Sequence, residues 1–548
     1  MSERQQRAMD ALYGLDNVLT VRITLPPAEW DAIRSEQPKG GVCNFDWTGG
    51  ARFTWRKATS VEISGGIFPA RTSFAGVGVK KKSFCGSLNS DKPCLHIDFG
   101  KFGDSTAVQE LIGTRYLTLN NSIQDGSYVR QTLGYRLFEM AGLPFSRSNY
   151  ARVFVNGTLI GADRPGVNSP GVFVSVEPIM RRYIERNFHG NLNGNLYELE
   201  HNDDLIADRL RYVGVESLSA FEDRADLRLA ADRIAAAGVA GLAQVVDLDR
   251  FIQLYAMEFF LKHWDGYSRN TNNSYLYNDV PAVASPAVGD VRLTMIPWGL
   301  DQILQPERSF KLGDSGVVAR LVRNDPARRA VLAEQIRVYR HTVFGRENRQ
   351  TVLQPLLDRM RTVLAGLGVP NLAAEIATVR RQLRLAASAG YLYAGLPTDG
   401  VYLADERDRY LHASTTETLP PDTPTATDFE VYHRALDESD STDRWTLAAL
   451  GTGTSLTDPA GGRVLHASNT QLTAQGNKLL YTCPPRNVDH AEEFLIAPSG
   501  AADPFTYNGY FRLTSVRTGA QVSYGTDPTP GGRPRVYQEP IGTKLYFC

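Results

Sequence analysis

The fold is decided by LKHWDGYSRNTNNSYLYN (residues 261–278) and, after a loop-like spacer, VRLTMIPWGLDQIL (residues 291–304). An apolar run, Phe251–Leu261, precedes the first stretch and predicts a helix that ends just before Asp265. Ser274–Tyr277 and Val291–Ile296 predict the two short strands of a hairpin. The pattern is therefore a helix, an Asp-x4-Asn loop, a hairpin and a second aspartate, Asp301.

Polar residues in this block have a spacing used in phosphoryl transfer. Asp265 and Asn270 are spaced as in the protein-kinase catalytic loop H-R-D-x-x-x-x-N, and Asp301 stands where the D-F-G aspartate would follow. In such sites one carboxylate accepts the hydroxyl proton, while an amide oxygen and a second carboxylate hold the metal. We therefore predict Asp265 as the base and Asp301 and Asn270 as metal ligands, with Asn273 assisting. Asp-x4-Asn alone is a weak signal, and the combined block is much more specific.

The sequence motifs around these residues resemble those of the CotH family of atypical kinases. HWDGYSRNTNNSYLY and IPWGLDQIL are similar to that family's tryptophan-aspartate loop and its P-W-D-L-D segment. Gly299 stands in place of the first aspartate of P-W-D-L-D, whereas Asp301, the one expected on the metal, is present. The resemblance covers roughly residues 15–390. It implies a two-lobed, atypical protein-kinase-like domain that uses ATP with Mg²⁺ or Mn²⁺ and acts on a protein substrate.

A lysine-rich strand extends the resemblance towards the nucleotide phosphates. The segment GVKKKSFCGS (residues 78–87) is similar to the family's G-V-R-x-K-G-N-S-S element, whose lysine falls on Lys82. A strand lysine in a kinase holds the α- and β-phosphates as a point charge. Lys82 is therefore the first candidate and Lys80 the second. Three adjacent lysines equally suit a solvated basic turn.

The resemblance also implies a position for adenine. Val172–Glu177 predicts a strand, and its last residue, Glu177, matches a glutamate of the family, so we include it as a cofactor-binding candidate. The strand should lead into the linker between the lobes, where Ile179 can form part of an apolar slot. The helix predicted at Ser127–Met140 stands where a kinase helix presents a glutamate to the lysine. Its carboxylate, Glu139, has no strong claim to that role.

The last 150 or so residues carry a different signal, an internal repeat. RYLHAS (409–414), RVLHAS (463–468) and GAQVS (519–523) recur at nearly the same interval, and an apolar closing strand follows each one. Three repeats of about 50 residues, rich in short strands and Gly, Pro and Asp turns, predict a β-trefoil. It resembles ricin-type or fascin-like trefoils, which implies a glycan as a partner. The Q-x-W motif of ricin-type lectins is absent from the sequence. A packing or spacer domain is the alternative. His412 and His466 recur at equivalent positions, which favours packing over metal binding.

Bulk composition excludes several classes of protein. Lys plus Arg is 59 and Asp plus Glu is 60, for a net charge of −1, which argues against nucleic acid or an anionic membrane surface as a partner. No apolar run approaches the roughly 20 residues of a membrane span. The first residues, MSERQQRAMDALYGLDN, lack the apolar core of a signal peptide.

The five cysteines do not decide between an oxidising and a reducing compartment. Cys85 can pair with Cys94, and Cys483 with Cys548, which would suit an oxidising compartment and a secreted or cell-surface protein. Five unpaired thiols in a cytoplasmic protein are the alternative. No His/Cys cluster has the spacing of a zinc site.

These signals predict an α+β chain in three parts. Residues 1–17 are a polar lead-in, residues 18–396 the kinase-like domain with lobes at about 18–178 and 179–396, and residues 397–548 the trefoil. Intact base and metal positions favour catalysis over a non-catalytic adhesin or coat-type protein. AMP transfer and the ligation of an amino acid such as glutamate remain alternatives for a kinase-like fold.

Overall fold

The computed structural model describes residues 2–82, 84–161, 171–188, 192–216, 224–397, 400–419, 428–435, 443–458, 462–486, 490–500 and 503–548. The chain divides into two compact units. The first comprises Met1–Gln305, Leu312–Gln335 and Glu347–Arg380. The second comprises Pro306–Lys311, Ile336–Arg346 and Arg381–Cys548. The domain boundary predicted at 396/397 stays a prediction.

The first unit begins with a ten-stranded sheet and the helices beside it. In chain order these elements are α1 (Glu3–Leu12), β1 (Leu19–Thr24), α2 (Pro27–Ser35), β2 (Arg56–Lys57), β3 (Ser60–Gly65), β4 (Phe68–Phe74), β5 (Gly78–Lys81), β6 (Leu95–Asp98), α3 (Thr106–Ile112), β7 (Tyr116–Asn120), α4 (Arg130–Met140), β8 (Ser148–Val155), β9 (Thr158–Leu159) and β10 (Val172–Val176). The strand order is β2-β5-β6-β7-β10-β8-β1-β3-β4, with β9 on β8. Only β1 and β8 run parallel among the described pairs.

Alternation and turn residues explain this sheet. Along β1, Val21 and Ile23 are fully buried while their neighbours are not, as period-2 alternation predicts. The β8–β9 hairpin turns at Asn156 and Gly157, both at positive φ, which is the two-residue turn that Asn-Gly favours. The helix predicted at Ser127–Met140 is α4, which begins at Arg130.

A second sheet and a set of helices follow, and three of the helices pass from one unit into the other, at residues 335/336, 346/347 and 380/381. The elements are α5 (Arg181–Asn187), β11 (Asn195–Leu199), β12 (Gly214–Val215), α6 (Ala225–Ala237), α7 (Val239–Val245), α8 (Leu248–Leu261), α9 (Tyr267–Asn270), β13 (Ser274–Asn278), β14 (Leu293–Pro297), α10 (Val317–Asn324), α11 (Pro326–His341), α12 (Arg346–Asn348), α13 (Gln354–Gly366) and α14 (Leu372–Ala394). The antiparallel sheet has the order β12-β11-β13-β14. The predicted hairpin is β13–β14, with Ser274 opposite Pro297.

The second unit is built mainly from short antiparallel strands. They are β15 (Phe310–Lys311), β16 (Leu403–Asp405), β17 (Arg409–Thr418), β18 (Phe429–Ala435), β19 (Thr446–Leu450), β20 (Gly453–Thr457), β21 (Val464–Leu472), β22 (Lys478–Cys483), β23 (Phe494–Pro498), β24 (Thr506–Tyr507), β25 (Phe511–Ser515), β26 (Gln521–Pro528), β27 (Pro534–Glu539) and β28 (Leu545–Phe547). Three hairpins, β17–β18, β21–β22 and β26–β27, carry the three repeats.

The pairing of these hairpins is that of a β-trefoil. β18, β22 and β27 pair with one another in a triangle. The other strands form a ring, β16-β28-β25-β23-β20-β19, which a bridge between Val401 and Trp445 closes. Leu411, Leu465 and Val522 from the three repeats meet in one core. The predicted fold class, α+β with an all-β trefoil, is confirmed.

Several expectations are wrong in detail. The polar lead-in contains the amphipathic helix α1, which buries Met9 and Leu12. The disulfide joins Cys43 to Cys85, which are 42 residues apart, and neither predicted pairing occurs. Within the described residues the other cysteines form no disulfide and are buried.

Arg130, in the first turn of α4, is buried. It pairs with Asp125 at 2.7 Å, so it belongs to the core of the unit.

None of the helices in the described part of the chain has both the length and the apolar character that crossing a bilayer requires.

Candidate active site

Helix α8 positions the loop that carries Asp265. It ends at Lys262 in the left-handed conformation, so the chain turns sharply away from the helix axis. The carboxylate of Glu258, inside α8, then accepts the backbone N–H groups of Tyr267 at 3.0 Å and Ser268 at 2.9 Å. These two donors open the short helix α9, and such donors have no partner within a helix. The loop is thereby tied at both ends, with Asp265 between the ties.

Three asparagine amides surround the Asp265 carboxylate. Oδ1 accepts Nδ2 of Asn270 at 2.5 Å and of Asn272 at 3.0 Å, while Oδ2 accepts Nδ2 of Asn273 at 2.7 Å. A carboxylate offers about four lone-pair positions. One is left for the hydroxyl group of a substrate, and the other three fix the orientation of the side chain.

Gly299 brings the second carboxylate close to this group. It has φ of +57°, and a Cβ there would overlap Oδ1 of Asn273, so the close approach requires glycine. The backbone N–H of Trp298 donates to the carbonyl of Asn273 at 2.9 Å, which ties β14 to the Asp265 loop. The departure from P-W-D-L-D therefore leaves space for the amide of Asn273.

Asp301 lies two residues beyond this glycine. Burial raises the pKa of its carboxyl to about 7, its own backbone N–H opposes the shift, and the nearby carboxylates of Asp125 and Asp265 add to it. Negative charge is therefore concentrated at this point. Such a position favours a cation as the partner of the ionised carboxylate.

Asp265 and Asp301 both line a cavity of about 830 Å³, which also contains the predicted lysines. Lys82 lies with Nζ 4.6 Å from the ring centre of Trp298, beside the Asp301 turn. Lys80 lies with Nζ 4.8 Å from the ring centre of Trp55. The intervening Lys81 is buried and donates to the carbonyl of Arg34 at 2.8 Å, so it is structural. Lys80 in β5 and Lys82, the residue after its end, are therefore the two lysines whose charge we assign to the cavity.

Acidic groups face Lys80 from the second sheet. Burial lowers the pKa of Lys80, and Glu216 and Glu198 oppose that change. Burial, reinforced by Glu198, raises the pKa of Glu216 to about 7. Glu216 and Glu198 line the cavity, and nothing in the sequence pattern singles them out.

Some predicted residues lie elsewhere. Glu177 is not among the residues lining the cavity; its buried carboxylate pairs with Arg147 at 2.9 Å and Arg186 at 2.7 Å, so it acts as a structural ion pair. Glu139 is exposed and pairs with Arg136 at 2.8 Å. Ile179 does line the cavity.

The asparagines require one further correction. Asn270 is not among the residues lining the cavity, whereas Asn272 and Asn273 are. Asn270 orients Asp265 through its amide. The sequence does not single out Asn272 as a site residue, because the kinase pattern specifies an asparagine only at five positions after the aspartate.

His263 is also outside the cavity lining. It is fully buried, and burial lowers the pKa of its imidazole to about 4. A neutral imidazole at physiological pH fits packing better than proton transfer.

The residues present fit a nucleotide with a divalent cation. Because Asn272 and Asn273 donate their amide nitrogens to Asp265, their amide oxygens are the atoms available to a ligand. These oxygens and the Asp301 carboxylate form the oxygen-only donor set that Mg²⁺ prefers. Lys80 and Lys82 supply positive charge, and the cavity volume falls within the usual range for small-molecule sites.

Comparison with protein families identifies the region that holds this cavity's aspartates and lysines. The family model described as CotH kinase protein matches residues 79–328. We call this segment, which is less than half of the chain, the CotH segment because of its similarity to that family. The CotH segment contains Asp265, Asp301, Lys80 and Lys82, so the resemblance drawn from the sequence is confirmed there. It makes this part of the chain kinase-like.

Other comparisons add less. No curated protein sequence matches the chain. A designed 3-fold symmetric protein, ThreeFoil, is 14% identical, with 27% of this chain and 96% of that chain covered and a TM-score of 0.21. A lectin of Polyporus squamosus is 12% identical, with 28% and 50% covered and a TM-score of 0.20. At these scores the trefoil assignment depends on the strand pairing itself.

Proposed function

We propose that the CotH segment is an ATP- and divalent-metal-dependent phosphotransferase. The observation that carries this proposal is the meeting, in one cavity, of Asp265 held by three amides, the second carboxylate Asp301, and the lysines Lys80 and Lys82. Phosphoryl transfer is catalysed largely by positioning and by charge stabilisation, and these groups are suited to both tasks.

Each residue has a separate role in the proposal. A bound Mg²⁺ or Mn²⁺ would neutralise charge on the phosphates. Asp301 and the amide oxygen of Asn273 would hold that ion, with Asn272 as the third candidate in place of Asn270. Lys82, beside the Asp301 turn, would bind phosphate, and Lys80 is the second candidate. Asp265 would accept the proton of the attacking hydroxyl group.

The acceptor and the trefoil's partner are further proposals. The kinase-like character of the segment supports a protein as the acceptor of the phosphate. The trefoil is proposed to bind a glycan or a partner protein, which would bring the kinase-like domain to its substrate. Three similar repeats offer up to three surfaces for such a ligand.

The experiment on Asp301 tests the metal role. Asp301→Ala should abolish turnover and remove the Mg²⁺-dependent part of ATP binding, because a metal ligand is lost, while the protein still folds. Calorimetric titration of ATP with and without Mg²⁺ measures the binding. Asp249→Ala, an exposed aspartate in the first turn of α8, is the control and should behave as wild type. Normal metal-dependent binding and turnover in Asp301→Ala would contradict the assignment.

A further inference from the structure

A second cluster of metal-ligating side chains lies in the trefoil. His466, Cys483 and Glu492 each offer a ligand atom, and these atoms lie within 4.8 Å of one another. The exposed fractions are 8%, 0% and 1%, so the cluster is inside the protein. His466 comes from β21 and Cys483 from the end of β22, and Glu492 lies two residues before β23.

The first repeat holds a different set of residues in the same place. His412 is opposite Tyr432 in β17–β18, as His466 is opposite Tyr481 in β21–β22. Arg434 and Cys483 each follow those tyrosines by two positions. The second repeat therefore has a thiol where the first has a guanidinium group.

The acidic member of each set is equivalent as well. Asp443 precedes the core residue Trp445 by two positions, and Glu492 precedes the core residue Phe494 by two. In the first repeat the Asp443 carboxylate pairs with both His412 and Arg434. That trio carries its own cation, the arginine.

In the second repeat the position of Arg434 carries no arginine, and Oε1 of Glu492 accepts the backbone N–H of Arg486 at 2.8 Å. Nδ1 of His466 is buried without a hydrogen-bond partner among the described residues, and the nearest carboxylate oxygen, Oε1 of Glu492, is 3.9 Å away. Leaving a buried polar atom without a partner is costly. The imidazole ring is held in place by stacking on Tyr481, with ring centres 4.7 Å apart. The nitrogen thus lies within the cluster, and none of the residues that the structure describes donates to it or accepts from it.

We infer that His466, Cys483 and Glu492 form a buried site for a Zn²⁺-like cation, which takes the position of the Arg434 charge in the second repeat. Imidazole, thiolate and carboxylate together favour Zn²⁺ over Mg²⁺ or Ca²⁺. Ligand atoms around tetrahedral zinc are about 3.3–3.8 Å apart, given the usual bond lengths. Binding therefore requires the ligand atoms to move towards one another by up to about 1.5 Å. The ion would join β21, β22 and the approach to β23, and would leave one coordination position for water.

The test uses Co²⁺ as a spectroscopic substitute for Zn²⁺ on the full chain. Protein is prepared without reductant so that the Cys43–Cys85 disulfide stays closed, and Co²⁺ is added under argon. We expect one Co²⁺ per chain with a thiolate-to-cobalt absorption band, which one equivalent of Zn²⁺ bleaches. Co²⁺ held by oxygen ligands at Asp301 gives no such band, so Asp301→Ala should leave it unchanged.

Variants assign the band to this cluster. Cys483→Ser should lose it, and His466→Gln should weaken Co²⁺ binding by at least about tenfold, since even removal of a group that only supports a ligand costs 10–100-fold. Cys548→Ser removes another buried cysteine of the same unit and should keep the band. A band that persists in Cys483→Ser overturns the proposal. So does its absence from the wild-type protein, a result that does not depend on the folding of any variant.

Discussion

The orientation of Asp265 depends on amide groups rather than on a charged partner. Three asparagine side chains donate to its two oxygens, so the direction of the carboxylate is fixed. A positioned base contributes about 10²- to 10⁴-fold to a proton-transfer step. It contributes little to the binding of the nucleotide. These two effects can be measured separately.

Asp265→Asn keeps the size of the side chain and removes its charge. We expect turnover to fall about 10²- to 10⁴-fold, while the affinity for ATP stays within a few-fold of wild type. Turnover, ATP affinity and melting temperature should be measured on the same preparation. Asp249→Asn serves as the control on the exposed side of α8. A less stable protein with nearly normal turnover per folded molecule would show that Asp265 is only a loop cap.

The sequence predicted the principal site residues but not the way in which they meet. Asp265 and Asp301 follow from the spacing of a local pattern, and both line the cavity. The spacing does not predict that Asn272 lines the cavity and Asn270 does not. That difference depends on how the loop places each amide around the carboxylate in three dimensions. The prediction that Glu177 binds the cofactor does not hold, because the similarity of one strand to a family motif does not reveal the two arginines that pair with Glu177.

Among the elements, the strands and the α8 helix were predictable because their periodicity is local. The two strands of the hairpin β13–β14 lie close to their expected bounds. The Cys43–Cys85 disulfide was not predictable, since it joins two loops that only the folded chain brings together. The nearer cysteine, Cys94, was the natural choice from sequence distance.

The turn after β11 contains a buried carboxylate that makes stability depend on pH. Asp203 is fully buried, and its Oδ2 accepts the backbone N–H of Glu200 at 3.0 Å. Burial is the main reason that the pKa of Asp203 is raised from 3.8 to about 7. The unfolded chain therefore loses this proton at lower pH than the folded protein does. The contribution of Asp203 to stability is present below about pH 4 and is lost as pH rises towards 7.

Asp203→Asn mimics the protonated side chain at every pH. We expect the variant to be more stable than wild type by about 2–4 kcal/mol at pH 8, and equal to it or slightly less stable at pH 4. Melting temperatures of both proteins at the two pH values measure the difference. Asp208→Asn, an exposed aspartate of the same loop, should show no such dependence. An unchanged gap between wild type and Asp203→Asn across this range would contradict the account.

At the scale of the whole molecule, the repeat in the sequence was sufficient to predict the trefoil. Each repeat supplies one hairpin and several residues of the shared core, so the threefold pattern survives low similarity between the repeats. How far the second unit extends along the chain was harder to predict from the sequence. Tyr391 joins the trefoil core from α14, and Phe310 in β15 pairs with Tyr507 in β24. Both lie outside the predicted range of 397–548.

Two fragments test the extent of that unit. A fragment of residues 381–548 retains Tyr391 in the core and the ion pair of Arg384 with Asp408 at 3.0 Å. A fragment of residues 397–548 loses both. We expect the longer fragment to have a melting temperature higher by several degrees, as a difference of about 1–2 kcal/mol implies for a domain of this size. Equal melting temperatures would show that the segment before residue 397 adds nothing to the trefoil.

The fate of the ATP phosphates tests the central claim most directly. The full chain is incubated with Mg²⁺ or Mn²⁺ and ATP labelled at either the γ- or the α-phosphate, with the chain itself and a test protein as acceptors. Asp301→Ala serves as the inactive control. We predict that ADP is formed and that the γ-label alone becomes attached to protein, in the wild type only. AMP attached through the α-label, or the absence of any label transfer above the level in Asp301→Ala, would contradict a phosphotransferase.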